Sequence, residues 1–415
     1  MLQMKAQRGE KHRVFLRCAL DEINNRIYID LSTHNWEYIE VTSAGWEQTK
    51  DVPLKFVRSG QMRALPTPVR DQRFTILQYL KVLINAVEQD DLILIAAWML
   101  FALAGRGPFP ILCFYGGPGT GKSTAGETAK ECIDPSTPKA KMLPHQNEEQ
   151  VMVTAVNGYC LLFDNVSTIA VWQSDALCRL STGAGLGVRQ HYSQRDEVVY
   201  EARRPILLTG IEQFVEPSDL ADRTIAVELP ALKDGKRITE VEHQRRLKKV
   251  SGKILGCLLD GLSVGLSRMP EIKINNLPRM ADFALFATAA EPAFGWGAGS
   301  FLKAYQRNIK RNSSVVVESA SIVPVIAELL DENGGKWEGT ATELLKQIDN
   351  LVTYRGSGSL KIPPDWPSKP NKLSGLLRRL VGDLRRSGVN VDIEHRNSGS
   401  WISIHRLPRD DSDGR

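Results

Sequence analysis

Between Arg13 and Arg58, short apolar stretches are separated by turns rich in Asn, Gly and Thr: Val14-Phe15-Leu16, Ile27-Tyr28-Ile29-Asp30-Leu31, Tyr38-Ile39-Glu40-Val41 and Leu54-Lys55-Phe56-Val57. This spacing predicts a small meander of strands. Pro66-Thr67-Pro68 marks a boundary, and beyond it the period changes. Phe74, Leu77, Leu80, Leu83, Ile84 and Val87 recur at helical spacing, and Asp91 stands where it would cap a second, nearly all-apolar helix ending at Gly105. From Ile111 to Leu229, apolar runs of strand length alternate with helical stretches, the pattern of a mainly parallel sheet with covered faces. Helical spacing returns over Ile238–Leu266 and Met280–Glu291, and Ser313 and Ser314 read as a hinge. The region from Val316 to Leu407 then gives three helices and two short strands, Val389–Ile393 and Trp401–Ile404. The expected class is α/β, with a small β-rich region over 1–65, a helical region over 66–108, an α/β core over 109–232, a helical region over 233–314, a C-terminal domain over 315–409 and a tail over 410–415.

Composition changes this picture little. An apolar fraction of 42% and a charged fraction of 24% over 415 residues suit a soluble chain of two to four domains. The net charge of +5 is too small for that length to imply nucleic-acid binding by itself. The six cysteines are widely spread with no C-x-x-C pair and no histidine at zinc spacing, so reduced, mostly buried thiols are expected. Met1–Arg13 is polar and basic, unlike a signal peptide, and the longest apolar run, Leu92–Ala104, is too short to span a bilayer. A cytoplasmic protein is the expectation, and the blunt start leaves open that Met1 lies within a longer polypeptide.

The chemistry concentrates at Gly116-Gly117-Pro118-Gly119-Thr120-Gly121-Lys122-Ser123-Thr124, which fits the phosphate-binding pattern G-x-x-x-x-G-K-[ST]. An apolar run, Pro110–Tyr115, feeds it as a strand would, and a helical stretch leaves it. Glycines let the backbone curl around an anion so that its N–H groups face phosphates. Lys122 then supplies charge for the β- and γ-phosphates, Ser123 a hydroxyl ligand for Mg²⁺, and the following helix its positive N-terminal end. ATP with Mg²⁺ is the expected ligand.

Further along, Tyr159-Cys160-Leu161-Leu162-Phe163-Asp164 is an apolar strand ending in a carboxylate, a second Mg²⁺-organising group beside Ser123. The next residue, Asn165, cannot accept a proton where many such ATPases carry a water-polarising Glu. Glu148, Glu149 and Asp196 are the nearest alternative carboxylates. Arg203–Gly210 reads as another strand, whose polar tip Thr209 can sense a γ-phosphate. Arg223, just before the last strand of the core, stands like an arginine finger offered to a neighbouring subunit.

With these residues in hand, the chain from about Leu92 onward resembles AAA+ ATPases, and within them the superfamily-3 helicases and primase-helicases of phages, plasmids and viruses. The resemblance is carried by the loop, by Asp164, and by Trp172–Gly183 leading to Arg189-Gln190-His191-Tyr192. It implies an oligomeric, hexameric ring whose central channel receives a β-hairpin gripping DNA. Locally, Gly187–Tyr192 and Glu197–Ala202 can pair around Ser193-Gln194-Arg195-Asp196, bringing Arg189, His191 and Arg195 to a common tip. Basic groups there would hold phosphates without reading sequence; an ordinary solvated hairpin is the competing reading. Asn165, and Thr209-Gly210 in place of a Thr-Asn pair, depart from the family pattern. The resemblance also offers Arg279 as a second nucleotide-sensing residue, for which helix capping or a surface salt bridge is the stronger reading.

The C-terminal region resembles a winged helix, and between Lys361 and Arg409 it holds ten basic residues against four acidic ones. Lys372, Arg378, Arg379, Arg385 and Arg386 lie on or beside its last helix and are the expected duplex contacts, with a protein-docking winged helix as the alternative. Two functions stay open: an ATP-driven, ring-forming DNA helicase or translocase of a phage or mobile element, and a nucleotide-switched DNA-binding or helicase-loading protein with slow hydrolysis. A small-molecule kinase fits less well, because it would need neither a finger, a hairpin nor a basic C-terminal domain.

Overall fold

The computed structural model describes residues 12–71, 73–183, 186–189, 197–200, 202–210, 218–233, 235, 237–354, 366–396 and 399–407. These form two compact units, divided between Gln306 and Arg307, with 218–222 grouping with the second.

The first unit begins with a meander. Strand β1 (Val14–Phe15) pairs in parallel with β6 (Lys55–Phe56), and between them β2 (Cys18–Asp21), β3 (Arg26–Asp30), β4 (Tyr38–Thr42) and β5 (Gly45–Thr49) follow one another as an antiparallel sheet. Strands β2 and β5 go beyond the sequence expectation. β5, Gly-Trp-Glu-Gln-Thr, is an edge strand with polar, partly exposed residues, so it lacks an apolar run. Helix α1 (Ile76–Leu83) starts in a reciprocal capping box between Thr75 and Gln78. Helix α2 (Gln89–Ala102) is apolar all round and almost wholly buried. Its N-cap is Glu88, and Asp91, expected to be the cap, lies buried in the first turn instead.

The central sheet holds β7 (Ile111–Tyr115), β8 (Leu161–Val166), β11 (Ile206–Gly210) and β12 (Thr224–Glu228), all parallel, in the order β12-β7-β11-β8. Its strands read as continuous apolar runs because helices cover the sheet. Helix α3 (Lys122–Ile133) leaves the glycine-rich loop, and α4 (Glu148–Asn157), capped by the Asn147 side chain, and α5 (Val171–Thr182), ended by Gly183 at φ 93°, follow. The backbone of β9 (Leu186–Arg189) pairs antiparallel with β10 (Glu197–Tyr200), with Arg189 opposite Glu197. The unit closes with α7 (Glu240–Arg268), α8 (Ala281–Ala290) and the start of α9 (Ser300–Ser319). Phe101, Phe283 and Phe286 interlock there with ring centroids 5.5 and 5.9 Å apart. By length and composition α7 could cross a bilayer, yet its apolar side is packed on α1, α2 and α8.

Contacts at two places hold the meander and the stretch after it to the rest of the unit. Arg17 is fully buried: its Nε donates to Asp134 Oδ1 (2.8 Å), Nη1 to Asp30 O (2.9 Å) and Ser32 Oγ (3.0 Å), and Nη2 to Arg63 O (2.9 Å) and Pro135 O (3.4 Å). Farther on, the stretch after Pro66 lies flush along α7. A Cβ on Gly252 would sit 2.3 Å from Thr67 O, and one on Gly256 2.1 Å from Val69 O. Val69 N–H donates to Gly252 O (2.8 Å), and Trp46 Nε1 donates to Asp260 (2.7 Å).

The second unit contains the short helix α6 (Ser218–Ala221), the rest of α9, α10 (Ile322–Glu332), β13 (Lys336–Thr340), α11 (Ala341–Tyr354), α12 (Pro370–Arg386), β14 (Val389–Arg396) and β15 (Gly399–Arg406). Its sheet is antiparallel in the order β13-β15-β14. The hinge expected at Ser313-Ser314 is absent, because α9 runs through both residues. Buried Ser313 accepts from Arg386 Nη1 (2.5 Å), so its hydroxyl does not compete for backbone groups as a helix-breaking serine does.

Candidate nucleotide site

Strand β7 delivers the chain to the loop at the carboxyl end of the central sheet. Gly116 takes φ 145°, and a Cβ there would stand 2.3 Å from Leu229 O, so the loop passes the end of β12 too closely for any side chain. Gly121, at φ 89°, turns the chain into α3. Thr120 is buried, and its hydroxyl donates to Gly117 O (3.1 Å). Lys122 Nζ folds back to donate to the carbonyls of Gly116 and Gly117, both at 2.7 Å. Burial lowers the Lys122 pKa, and the charge of Asp164 opposes that shift, so the two groups feel one another across the site. Ser123 and Thr124 are exposed in the first turn of α3. A Gly116→Ala variant is expected to lose nucleotide binding and about 1–3 kcal/mol of stability, because loop and β12 must separate; equilibrium binding and urea unfolding check both.

Asp164 and Thr209 meet the loop at this same edge. The Thr209 hydroxyl donates to Asp164 Oδ1 and accepts from the Asn165 N–H at 3.0 Å. Gly126 of α3 packs onto β8 and β11: a Cβ on it would meet Leu162 at 2.9 Å and Thr209 at 3.2 Å, so the first turn of α3 comes down beside Asp164. The structure thus brings together the loop from Gly116 to Thr124, Asp164 and Thr209. It does not bring Arg223 to them. Arg223 precedes β12 at the opposite edge, its carbonyl accepting from Ile111 N–H (2.8 Å), while the loop follows Tyr115 four residues of strand away, roughly 13 Å.

Of the alternative carboxylates, Glu148 is paired with Arg179 through Nε at 2.8 Å and through Nη2. Glu149 follows it in the first turn of α4, and Asp196 lies outside the described residues. Among the described residues no group of three His, Cys, Asp or Glu side chains converges to hold a metal. The Ser123 hydroxyl and the Asp164 carboxylate are the groups here that could hold a metal, a set that would suit a magnesium ion completed by phosphates and water.

Beside the loop a cleft opens between the α1–α2 connection, the first turns of α3 and α7, and the segment after Pro230. Asn85 ties its walls, donating to Pro230 O (2.7 Å) and Thr120 O (3.3 Å). Arg237 lies over the loop, close enough that a Cβ on Gly119 would stand 3.2 Å from its Nη2. Sequence reading missed it because no motif surrounds it, and Arg279, proposed instead, does not line this cleft. Deeper in, Thr128 donates to Thr124 O (2.6 Å), so His243 Nε2, 2.9 Å from the same hydroxyl, carries the hydrogen. Burial, then Lys139 and Arg246, lowers the His243 pKa.

For DNA the picture divides. The backbone pairs β9 with β10 as expected, but His191 and Arg195 lie outside the described residues, and Arg189 is described in its backbone alone. On α12, Leu373, Leu377, Leu380 and Leu384 are buried, whereas Lys372, Arg378, Arg379 and Arg385 are exposed. Arg386, also exposed, is in addition paired within the unit with Asp222 (2.7 Å), Asp383 (2.9 Å) and Ser313. The cysteines are all free thiols, five of them buried.

Among solved structures, the chain is similar to the apo C-terminal region of NrS-1 at 12% identity and a TM-score of 0.40, over 94% of this chain and 96% of that one. It is also similar to JCV helicase at 13% identity and a TM-score of 0.29, over 58% and 67%. Curated protein sequences give no match. Two family profiles match: actinomycete integrative conjugative element replication protein over residues 77–311, more than half of the chain, and AICE RepA C-terminal domain over 322–412. The protein with this glycine-rich loop and carboxylate-tipped strand therefore belongs to the family of actinomycete integrative conjugative element replication proteins.

Proposed function

We propose that the chain is an ATP-dependent DNA helicase or translocase that acts as a ring, of hexameric type, in replication of its element. The observation that carries this reading is the link from Thr209 to Asp164 at the mouth of the glycine-rich loop. A strand with a polar tip, β11, lies between the loop strand and the acidic strand, so a change at the γ-phosphate can be felt through one hydroxyl by the group that organises the metal. Gly116–Thr124 would hold the phosphates of ATP, and Ser123 with Asp164 would hold Mg²⁺. The ion would neutralise charge on the β- and γ-phosphates. Lys122 would leave its two carbonyls for phosphate oxygens, and Thr209 would keep Asp164 oriented.

Arg223 precedes β12 at the end of the sheet away from its own loop, which favours its acting on a neighbour's nucleotide. The Arg223→Ala chain is expected to lose ATP turnover on the order of 10³-fold while keeping ATP binding. Mixed with Lys122→Ala, it should regain a measurable fraction, since a mixed interface can combine one intact loop with one intact finger. Continued inactivity of the mixture would sink the inter-subunit site.

The helix–strand–helix–helix–strand–strand order of the second unit supports a winged-helix reading, in which Lys372, Arg378, Arg379, Arg385 and Arg386 would contact the duplex backbone from the exposed side of α12. Arg189, His191 and Arg195 are proposed to grip a single strand from the hairpin. We place this activity in the cytoplasm. Steady-state ATPase with and without single-stranded DNA tests the whole: stimulation supports the motor. ATP binding with no stimulated turnover would favour the nucleotide-switched loader that Asn165 suggests.

A further inference from the structure

The pairing of β8 with β11 is irregular at the site. Leu208 faces Phe163 and Gly210 faces Val166, so Asp164 and Asn165 together stand opposite the single residue Thr209. This is a β-bulge, a device that re-aims side chains beside functional sites. Asn165 takes the left-handed conformation, φ 56°, which Gly and Asn adopt far more readily than other residues. In a regular strand, Asp164 and Asn165 would point to opposite faces. Here the Thr209 hydroxyl clasps both, donating to the Asp164 carboxylate and accepting the Asn165 N–H. Asn165 is left exposed at the carboxyl end of the sheet, and among the described residues its carboxamide makes no hydrogen bond.

We propose that Asn165 is a catalytic residue that orients the attacking water, in place of a carboxylate that would deprotonate it. The inference rests on the reading of the loop as an ATPase site. Its carboxamide oxygen accepts a hydrogen from the water, and its NH₂ group donates to a γ-phosphoryl oxygen. The water oxygen's lone pair forms the new bond to γ-phosphorus. The bond from γ-phosphorus to the β,γ-bridging oxygen breaks, and its electron pair leaves with ADP. The water proton passes to a γ-phosphoryl oxygen and departs with inorganic phosphate. Because phosphoryl transfer proceeds through a loose transition state, positioning rather than full deprotonation is what the residue must supply.

Glycine and alanine at this position separate the side chain from the backbone. Gly keeps the left-handed turn and removes the carboxamide, whereas Ala removes both the carboxamide and the easy conformation. In the full chain, Asn165→Gly is expected to lower the kcat for ATP about 10²-fold, with ATP affinity within about twofold and the thermal midpoint unchanged. Asn165→Ala should match that loss in kcat and also melt earlier. Wild-type kcat in the Gly variant, with activity lost only in the Ala variant, would reduce Asn165 to a backbone role and overturn the proposal. The underlying site is judged separately, by wild-type turnover and its loss in Lys122→Ala. If the wild type itself does not turn over ATP, the ATPase reading falls before either glycine or alanine is compared.

Discussion

Replacing Lys122 with alanine is expected to reduce ATP turnover by roughly 10²–10³-fold or more and to weaken binding of a fluorescent ATP analogue in parallel. Two separate losses combine. One is the cation that would face the β- and γ-phosphates of a bound nucleotide. The other is the brace inside the free loop, where Nζ holds the carbonyls of Gly116 and Gly117 at 2.7 Å each. A phosphate oxygen can replace each carbonyl as acceptor, so the lysine needs only to swing. Arginine is not an adequate substitute, because its planar fork does not fit a point between two converging carbonyls. Lys122→Arg should therefore keep some affinity yet fail in turnover. Undiminished turnover in the alanine variant would remove the loop from the chemistry.

The largest effect on stability is expected from Arg17→Ala. Arg17 and Asp134 are 0% and 1% exposed, and removing one partner of a buried pair costs about 3–5 kcal/mol because the other charge stays behind. Four further acceptors, from Asp30, Ser32, Arg63 and Pro135, lose their donor at the same time. A fall in melting temperature on the order of 10 °C follows. Function should suffer as well. Asp134 caps the C-terminal end of α3 and accepts from Cys160 N–H (2.9 Å) at the foot of β8, so it joins the helix that carries Ser123 to the strand that carries Asp164. Urea unfolding followed alongside nucleotide binding tests both. A change below about 1 kcal/mol would mean that the pair contributes little beyond its own desolvation.

How much of this was legible in the chain depends on range. The loop, β7 and the carboxylate that follows the apolar run of β8 are local patterns, an apolar run beside glycines or before an acid, and they were read directly. The hairpin was visible as alternation around a polar turn. Strand β13, Lys-Trp-Glu-Gly-Thr, escaped because only Trp337 and Gly339 face inward, too little to stand out from a loop. The role of Asn165 was illegible for a deeper reason: its conformation follows from the register of β8 on β11, residues more than forty apart in sequence. Arg237 and Arg386 show the same limit. One gained a place at the site through a chain path that no motif marks, and the other gained a partner, Asp222, far away in sequence.

The glycines of α7 reach further than packing. Gly252 and Gly256 admit the backbone of Thr67 and Val69, while Gly261 and Gly265, farther along, admit the rings of Phe294 and Phe286. Lys253 adds an ion pair to Asp71 at 2.9 Å. The proline-flanked stretch that reads as a boundary is thus a keyed seam. A push on the N-terminal meander would reach α7 like torque through a splined shaft, and α7 begins at the wall of the cleft beside the glycine-rich loop. A partner bound to that meander would therefore grip a handle geared to the candidate nucleotide site.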